Sequence, residues 1–331
     1  MRLKSYSFLT LFALATFTSC DDIEPIITAE PTHFVPQVVA SGLTLPMGMS
    51  FDGLGRAWVT EAGTGNSDAR VSLITKEGQV YPVITGLAST LTDEDIAGIG
   101  HVLYREGILY ILEGGTGSLY IVNVAGFKPG DAPVNASTLP KEDIGTFVKA
   151  QMLTNPINTD VYNLTFGPDD NLYIVDSGAN AIIKRDSRTK ALSVFAKIPN
   201  LAATVGSVPT RITYDGKKFL VSSLSGFPFT AGISKIFRVD LAGNVTDYQT
   251  GYTTLTDITL SANDKPIGIQ YAQFSLAPPI PGFQPKTGLI TNGDKETLLS
   301  GLDLPTDIEQ VNDRLYYVLN RGDGTLVKLT F

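Results

Sequence analysis

Six residues recur along the 331-residue chain, each directly ahead of an apolar partner: Gly48, His101, Asn163, Arg211, Asp257 and Asp307 precede Met49, Val102, Leu164, Ile212, Ile258 and Ile308. Further along each stretch a second set occupies one register: Glu61, Glu113, Asp176, Ser223, Gln270 and Asn320. Asn, Asp and Glu oxygens suit Ca²⁺ or another hard divalent cation, and a histidine among them adds a nitrogen ligand or a base. Asn163, Asp257 and Asp307 form the expected metal set. His101, Arg211, Glu61, Glu113 and Asp176 complete the expected polar binding surface. The competing reading is that these groups only solvate a channel and tie loops together, with an Arg211–Asp257 ion pair standing where a cation would.

Residues so far apart in sequence meet only if repeated elements bring them together. The six stretches begin at residues 48, 101, 163, 211, 257 and 307, close to the unit length of four-stranded propeller blades. Within a unit such as "NLTFGPDDNLYIVDSGANAIIKRD", alternating apolar residues read as strands, and Asp-Gly, Asp-Asp and Gly-Asn pairs read as tight turns. The expected fold is all-β: a six-bladed β-propeller with four-stranded blades. Consecutive strands run up and down, so both residue sets are expected at one mouth of the central channel. The last unit stops after its third strand, "GTLVKLTF", while "HFVPQVVASG" precedes the first unit unassigned. An N-terminal strand closing the last blade satisfies both observations and hides an open edge. Residues 137–151, "STLPKEDIGTFVKAQ", read as a helical insertion in the long second spacing.

The amino terminus follows different rules. Arg2 and Lys4 precede an apolar run that ends in Phe17-Thr18-Ser19-Cys20, the order of a secretory signal with a lipobox. The expected division is a lipoprotein signal over 1–19, a lipidated tether over 20–33 beginning at Cys20, and one propeller over 34–331. Cys20 is the only cysteine, so no disulfide is expected and packing must supply stability. Loss of Arg2 and Lys4 leaves 23 basic residues against 33 acidic ones, a net of −10. Such a surface argues against nucleic acid as a partner. The expected setting is the bacterial cell envelope, as an outer-membrane or periplasmic lipoprotein, held to the membrane through lipid, with a monomeric body.

Residues 208–240, "VPTRITYDGKKFLVSSLSGFPFTAGISKIFRVD", resemble the ScyD/ScyE-type propellers named after the scytonemin-pigment locus of cyanobacteria. "VVASGLTLPMGMSFDGLGRAWVTEAG" looks like that family's opening blade and "YNLTFGPDDNLYIVDSGANAIIKRD" like its third. The resemblance implies a secreted or periplasmic NHL-like propeller and assigns no reaction. The Gly226-Phe227-Pro228-Phe229 stretch follows a second strand, which puts Phe227 and Phe229 at the same mouth as the polar sets. Aromatic rings beside a polar funnel suit a small ligand, a glycan or a protein segment.

Histidine and cysteine counts of 2 and 1 exclude multi-histidine zinc sites and cysteine nucleophiles, and no G-x-S-x-G or P-loop appears. The Arg321-Gly322-Asp323 tripeptide reads as a turn. Three functions fit these residues: a ligand- or protein-binding module, a divalent-metal-dependent hydrolase of the lactonase type, and a quinone-dependent dehydrogenase using His101 and Arg211.

Overall fold

The computed structural model describes residues 29–92, 95–279 and 281–331. The signal segment, Cys20 and the first part of the tether lie outside the described residues. Six antiparallel sheets follow one another around a ring. Their innermost strands are Pro46–Phe51, Ile99–Arg105, Val161–Phe166, Pro209–Tyr214, Leu255–Leu260 and Pro305–Asn312. Each packs against the next and the last packs against the first, which closes a six-bladed β-propeller. No helix among the described residues is long and apolar enough to cross a membrane.

The apolar register behaves as the repeat requires. Met49, Val102, Leu164, Ile212, Ile258 and Ile308 are all buried, with exposures of 4% or less. The clusters they join run across seams: residues of blades five and six merge around Ile267, Ile290, Ile308 and Val318, and those of blades two and three around Leu112, Leu164 and Ile174. Each fully buried aliphatic side chain contributes about 1.5–3 kcal/mol, so seam burial dominates the stability of a disulfide-free ring.

Every innermost strand breaks its pairing register just where the polar set begins. The irregularities fall between Pro46 and Gly48, Ile99 and Val102, Val161 and Asn163, Pro209 and Arg211, Leu255 and Asp257, and Pro305 and Asp307. A bulge inserts a residue without a partner and re-aims its neighbours. Here it lets two adjacent side chains serve the seam and the channel together. Thr210, Thr256 and Thr306, each just before its ring residue, donate across the seam to Leu255 O, Pro305 O and Pro46 O, each at 3.1 Å. Thr60 reaches Gly100 O at 2.8 Å and Ser177 reaches Pro209 O at 2.6 Å. Between blades two and three Gly100 replaces the hydroxyl, and a Cβ there would stand 2.8 Å from Tyr162 O.

The segment read as a helical insertion is built otherwise. Lys141–Asp143 pairs with Ser118–Asn123 as the outer strand of blade two, and only Gly145–Ala150 is α-helical. Pro140 and the charged Lys141-Glu142-Asp143 run favour an exposed edge strand over a helix interior. Val134–Asn135 adds a fifth, parallel strand to blade one.

Closure uses the chain's two ends. Val35–Ala40 pairs antiparallel with Thr325–Thr330, giving blade six its outer strand. Phe34 is buried against Tyr316 and Phe331, at ring separations of 5.2 and 6.1 Å, and its N–H reaches Leu298 O of blade five. Contact with the ring begins earlier still, at Glu30, whose carboxylate accepts from Ser261 Oγ at 2.9 Å and Asn263 Nδ2 at 2.5 Å. Removing residues through 41 should therefore unzip the last blade. The loss of Phe34 alone is worth about 3–5 kcal/mol, so thermal unfolding should move down by about 10 °C or more, at about 2–4 °C per kcal/mol. A form beginning at residue 29 should melt with the full-length protein, and equal melting of the two truncations would refute the latch.

Candidate functional site

The ring residues follow the bulges and turn toward the axis, where the N–H groups of the apolar register need acceptors. Asn163 Oδ1 accepts from Ile212 N at 3.4 Å, Asp257 Oδ2 from Ile308 N at 3.4 Å, and Asp307 Oδ2 from Met49 N at 2.6 Å. Each of these bonds crosses from one blade to the next. Asp257 Oδ1 also accepts from Ile258 N at 2.5 Å. The remaining capacity of these groups meets in the channel. One ligand atom each from His101, Asp257 and Asp307 lies within 4.8 Å of the other two, and all three residues are buried.

His101 owes its position to its neighbours. At Gly48 a Cβ would stand 2.6 Å from the His101 Cγ, so the one residue of the ring without a side chain makes room for the imidazole. Tyr162 covers the histidine at a ring separation of 4.9 Å. His101 Nδ1 is 3.2 Å from Asp307 Oδ2, yet neither ring nitrogen has a hydrogen-bond partner, and neither does Asp307 Oδ1. Buried polar atoms left unmet in this way are uncommon and call for a water or an ion as partner. The donor set, two carboxylates and an imidazole, fits a divalent cation.

Arg211 approaches the same point from blade four. Its firm contact is Nη2 to Glu309 Oε1 at 2.7 Å, while Asp257 Oδ1 lies 3.4 Å from Nε and Asp307 Oδ1 lies 3.7 Å from Nη1. Glu309 is absent from the sequence-derived set. Its signal was the Asp307-x-Glu309 spacing, which puts both acids on one face of the strand.

Burial disfavours charge throughout this cluster, and the neighbours decide the outcome at each position. At Asp257 burial prevails, aided by Asp307 and opposed by Arg211, so its carboxyl sits well above the usual range. At Asp307 the adjacent His101 and Arg211 overcome burial and hold the carboxyl below it. The two acids are thus pushed in opposite directions, each influenced by the other. Burial lifts Glu309 to about 7, against the pull of Arg211. Burial works against the charge on Arg211 as well, but Asp257, Glu309 and Asp307 more than offset it.

The second set keeps a common register, pairing with Pro46, Ile99, Val161, Pro209, Leu255 and Pro305 in the six blades. Its acids are engaged at blade corners. Glu61 accepts from Thr44 N and takes Arg70 Nε and Nη2, each at 2.7 Å. Glu113 accepts from Ala88 N at 2.7 Å and from the Thr116 hydroxyl. Asp176 accepts from Thr159 Oγ1 at 2.5 Å and from the N–H groups of Asp160 and Ala179 at 2.8 Å. These carboxylates clamp the chain that enters each blade, apart from the His101 cluster.

Phe227 and Phe229 belong to an aromatic group that the sequence did not assemble. Phe229 packs on Phe274 and Phe283, both at 4.8 Å, Phe283 on Tyr271 at 5.1 Å, and Phe227 stands 63% exposed at the edge. Phe274–Ser275 and Gly282–Phe283 form the small hairpin that carries two of these rings.

No family model matches the chain, and no curated protein matches it. Solved propellers do match over most of its length. A virginiamycin B lyase from Staphylococcus aureus superposes with a TM-score of 0.55 at 14% identity, over 90% of this chain and all of that one. A putative gluconolactonase gives 0.57 at 10% identity, over 91% and 93%. A gluconolactonase from Xanthomonas campestris gives 0.57 at 8% identity, over 92% and 91%. At such identities the likeness speaks for the fold alone: most of this chain superposes on most of each of theirs.

Proposed function

We propose that this propeller is a divalent-cation-dependent hydrolase of the lactonase type, opening a cyclic ester with water to give a hydroxy acid. The observation that carries the reading is the buried triad of His101, Asp257 and Asp307, with unmet donors and acceptors pointing at one place. Fold-level likeness to proteins described as gluconolactonases supports the reaction class. His101, Asp257 and Asp307 would hold the cation, and the imidazole favours Mn²⁺ or Zn²⁺ alongside the Ca²⁺ or Mg²⁺ that carboxylates alone would select. A cation bound there would polarise an ester carbonyl and acidify a water. The chain's own groups do the rest. Arg211, held by Glu309, fixes Asp257 from the side and keeps a positive charge beside developing negative charge. Tyr162 covers the imidazole and limits water on that side of the cluster. The binding-module reading keeps one specific support, the aromatic group around Phe229. For a quinone-dependent dehydrogenase the site offers less, because Arg211 is engaged by Glu309 and the two aspartates.

Three further parts of the reading rest on the sequence. We propose kinship with ScyD/ScyE-type, NHL-like propellers on residues 208–240, lipid attachment at Cys20 with an envelope location, and a monomeric body. Cys20→Ser should move the protein from the membrane fraction to the soluble one, and unchanged fractionation would refute lipidation.

Cation binding is read by thermal unfolding of protein stripped with chelator. Mn²⁺, Zn²⁺ or Ca²⁺ at a hundred times its dissociation constant should stabilise by about 2.7 kcal/mol, a rise of several degrees. Asp257→Asn with Asp307→Asn should abolish the rise. So should Gly48→Ala, which pushes His101 aside. Absence of any shift with all three ions in the unsubstituted protein would remove the hydrolase reading.

The effect should depend on pH with a definite sign. In the cation-free fold Asp257 and Glu309 hold their protons above the usual carboxylate range. The stability this gives is complete below that range and is lost as pH rises through about 7, the value for Glu309. A cation held by His101, Asp257 and Asp307 would replace the Asp257 proton, so the melting difference with and without it should be larger at pH 8 than at pH 5. A difference independent of pH would contradict the carboxylate ligands.

A further inference from the structure

Arg321, beside the mouth of the channel, is 7% exposed and incompletely paired. Its Nη2 donates to Asp95 Oδ1 at 2.8 Å, while its buried Nε has no partner. Two other arginines in the molecule show what the same edge does when filled. Arg70 gives Nε and Nη2 to the two oxygens of Glu61, each at 2.7 Å, and Arg185 gives the same pair to Glu142 at 2.5 and 2.7 Å. A two-point fork on one carboxylate is the strong form of this interaction; Arg321 instead gives one bond to Asp95 and one to the Tyr271 hydroxyl, and its Nε stays unmet.

The Asp95 oxygen that Arg321 uses also accepts from Ile96 N at 2.7 Å, and the Asp95 backbone is tied to Thr92. Asp95 has a side chain 54% exposed and comes from the far end of the chain, 226 residues from Arg321 in sequence. It lines a cavity of about 700 Å³ with Ile96, Met47, Asp160 and Tyr162. Tyr162 is the ring that covers His101, so this cavity adjoins the triad. On the other side of Arg321 lies Tyr271, its hydroxyl raised by burial and drawn back by the guanidinium, and Tyr271 begins the aromatic group through Phe283 and Phe229.

We propose that Arg321 is the anchor for the carboxylate of a small ligand, that Asp95 is the resident acid this carboxylate displaces, and that the Tyr271–Phe283–Phe229 rings receive the ligand's apolar body. The ligand class is an amphipathic organic acid, and for the hydrolase proposed above it would be a lactone that carries, or opens to, such an acid. The anchor rests on that reading only for its place in a reaction. Binding at Arg321 needs no cation.

The test therefore uses the full chain in chelator, titrated calorimetrically with phenylacetate and with its neutral counterpart phenylacetamide. Phenylacetate should bind about tenfold more tightly, the difference that one charge-assisted pair supplies. Arg321→Gln should erase that preference. Asp95→Asn, a change at an exposed side chain that spares the fold, should tighten phenylacetate several-fold and leave phenylacetamide alone. Phe283→Ala should weaken both. Equal binding of the two compounds, or an Asp95→Asn protein that binds phenylacetate no better, would overturn the anchor, and unchanged binding by Phe283→Ala would overturn the aromatic half. A positive result beside a failed cation titration would leave an acid-binding module, so the two readings fail separately.

Discussion

Closing six sheets into a ring leaves mid-strand N–H groups of the innermost strands, at Met49, Ile212 and Ile308, in need of acceptors beside the channel, where leaving them unmet would cost about 1–3 kcal/mol apiece. The molecule meets this constraint with side chains that reach across the seams. Asn163, Asp257 and Asp307 accept from the next blade, while Thr210, Thr256 and Thr306, one residue earlier, donate to it. Both sets can act because a bulge sits at that place in every innermost strand. The apolar register then packs behind them, and the hydrophobic seams need no disulfide.

The same solution creates the candidate site. Carboxylates brought inward to cap N–H groups retain charge and lone pairs that the caps do not use up. Around Asp307 the surplus is balanced by Arg211 and His101, and around Asp257 by a retained proton. A capping acid and a candidate metal ligand are thus the same residue, and the unmet His101 nitrogens and Asp307 oxygen separate this cluster from an ordinary capping arrangement. The corner acids Glu61, Glu113 and Asp176 have the opposite character, since backbone N–H groups and neighbouring side chains engage them.

At the mouth the chain spends residues differently. Two arginine forks elsewhere each close on one carboxylate, while Arg321 divides its bonds between an exposed aspartate and the Tyr271 hydroxyl. Tyr162 covers His101 and lines the cavity that Asp95 shares, while Tyr271 bonds Arg321 and packs on Phe283, so the two tyrosines tie the arginine to the triad and to the rings.

The sequence by itself determined the six-fold repeat, the apolar register and the latch, because each depends on a local pattern: period-two alternation, turn pairs, and a strand missing at one end and spare at the other. It also placed His101, Asp257 and Asp307 in one ring. Residues 137–151 misled because helix-favouring composition is a weak prior, and pairing with Ser118–Asn123 decided that Lys141–Asp143 is a strand. Which of two polar rings faces the axis was decided only by tertiary structure, since the extra residue of a bulge re-aims its neighbours and simple alternation does not reveal where it falls. The contribution of Gly48, which leaves room for the His101 ring, the joining of Arg321 to Asp95 across 226 residues, and the grouping of Phe227 and Phe229 with Phe274 and Phe283 were likewise decided there. Each depends on how loops from different blades approach one another, and that geometry exists only once the ring has closed.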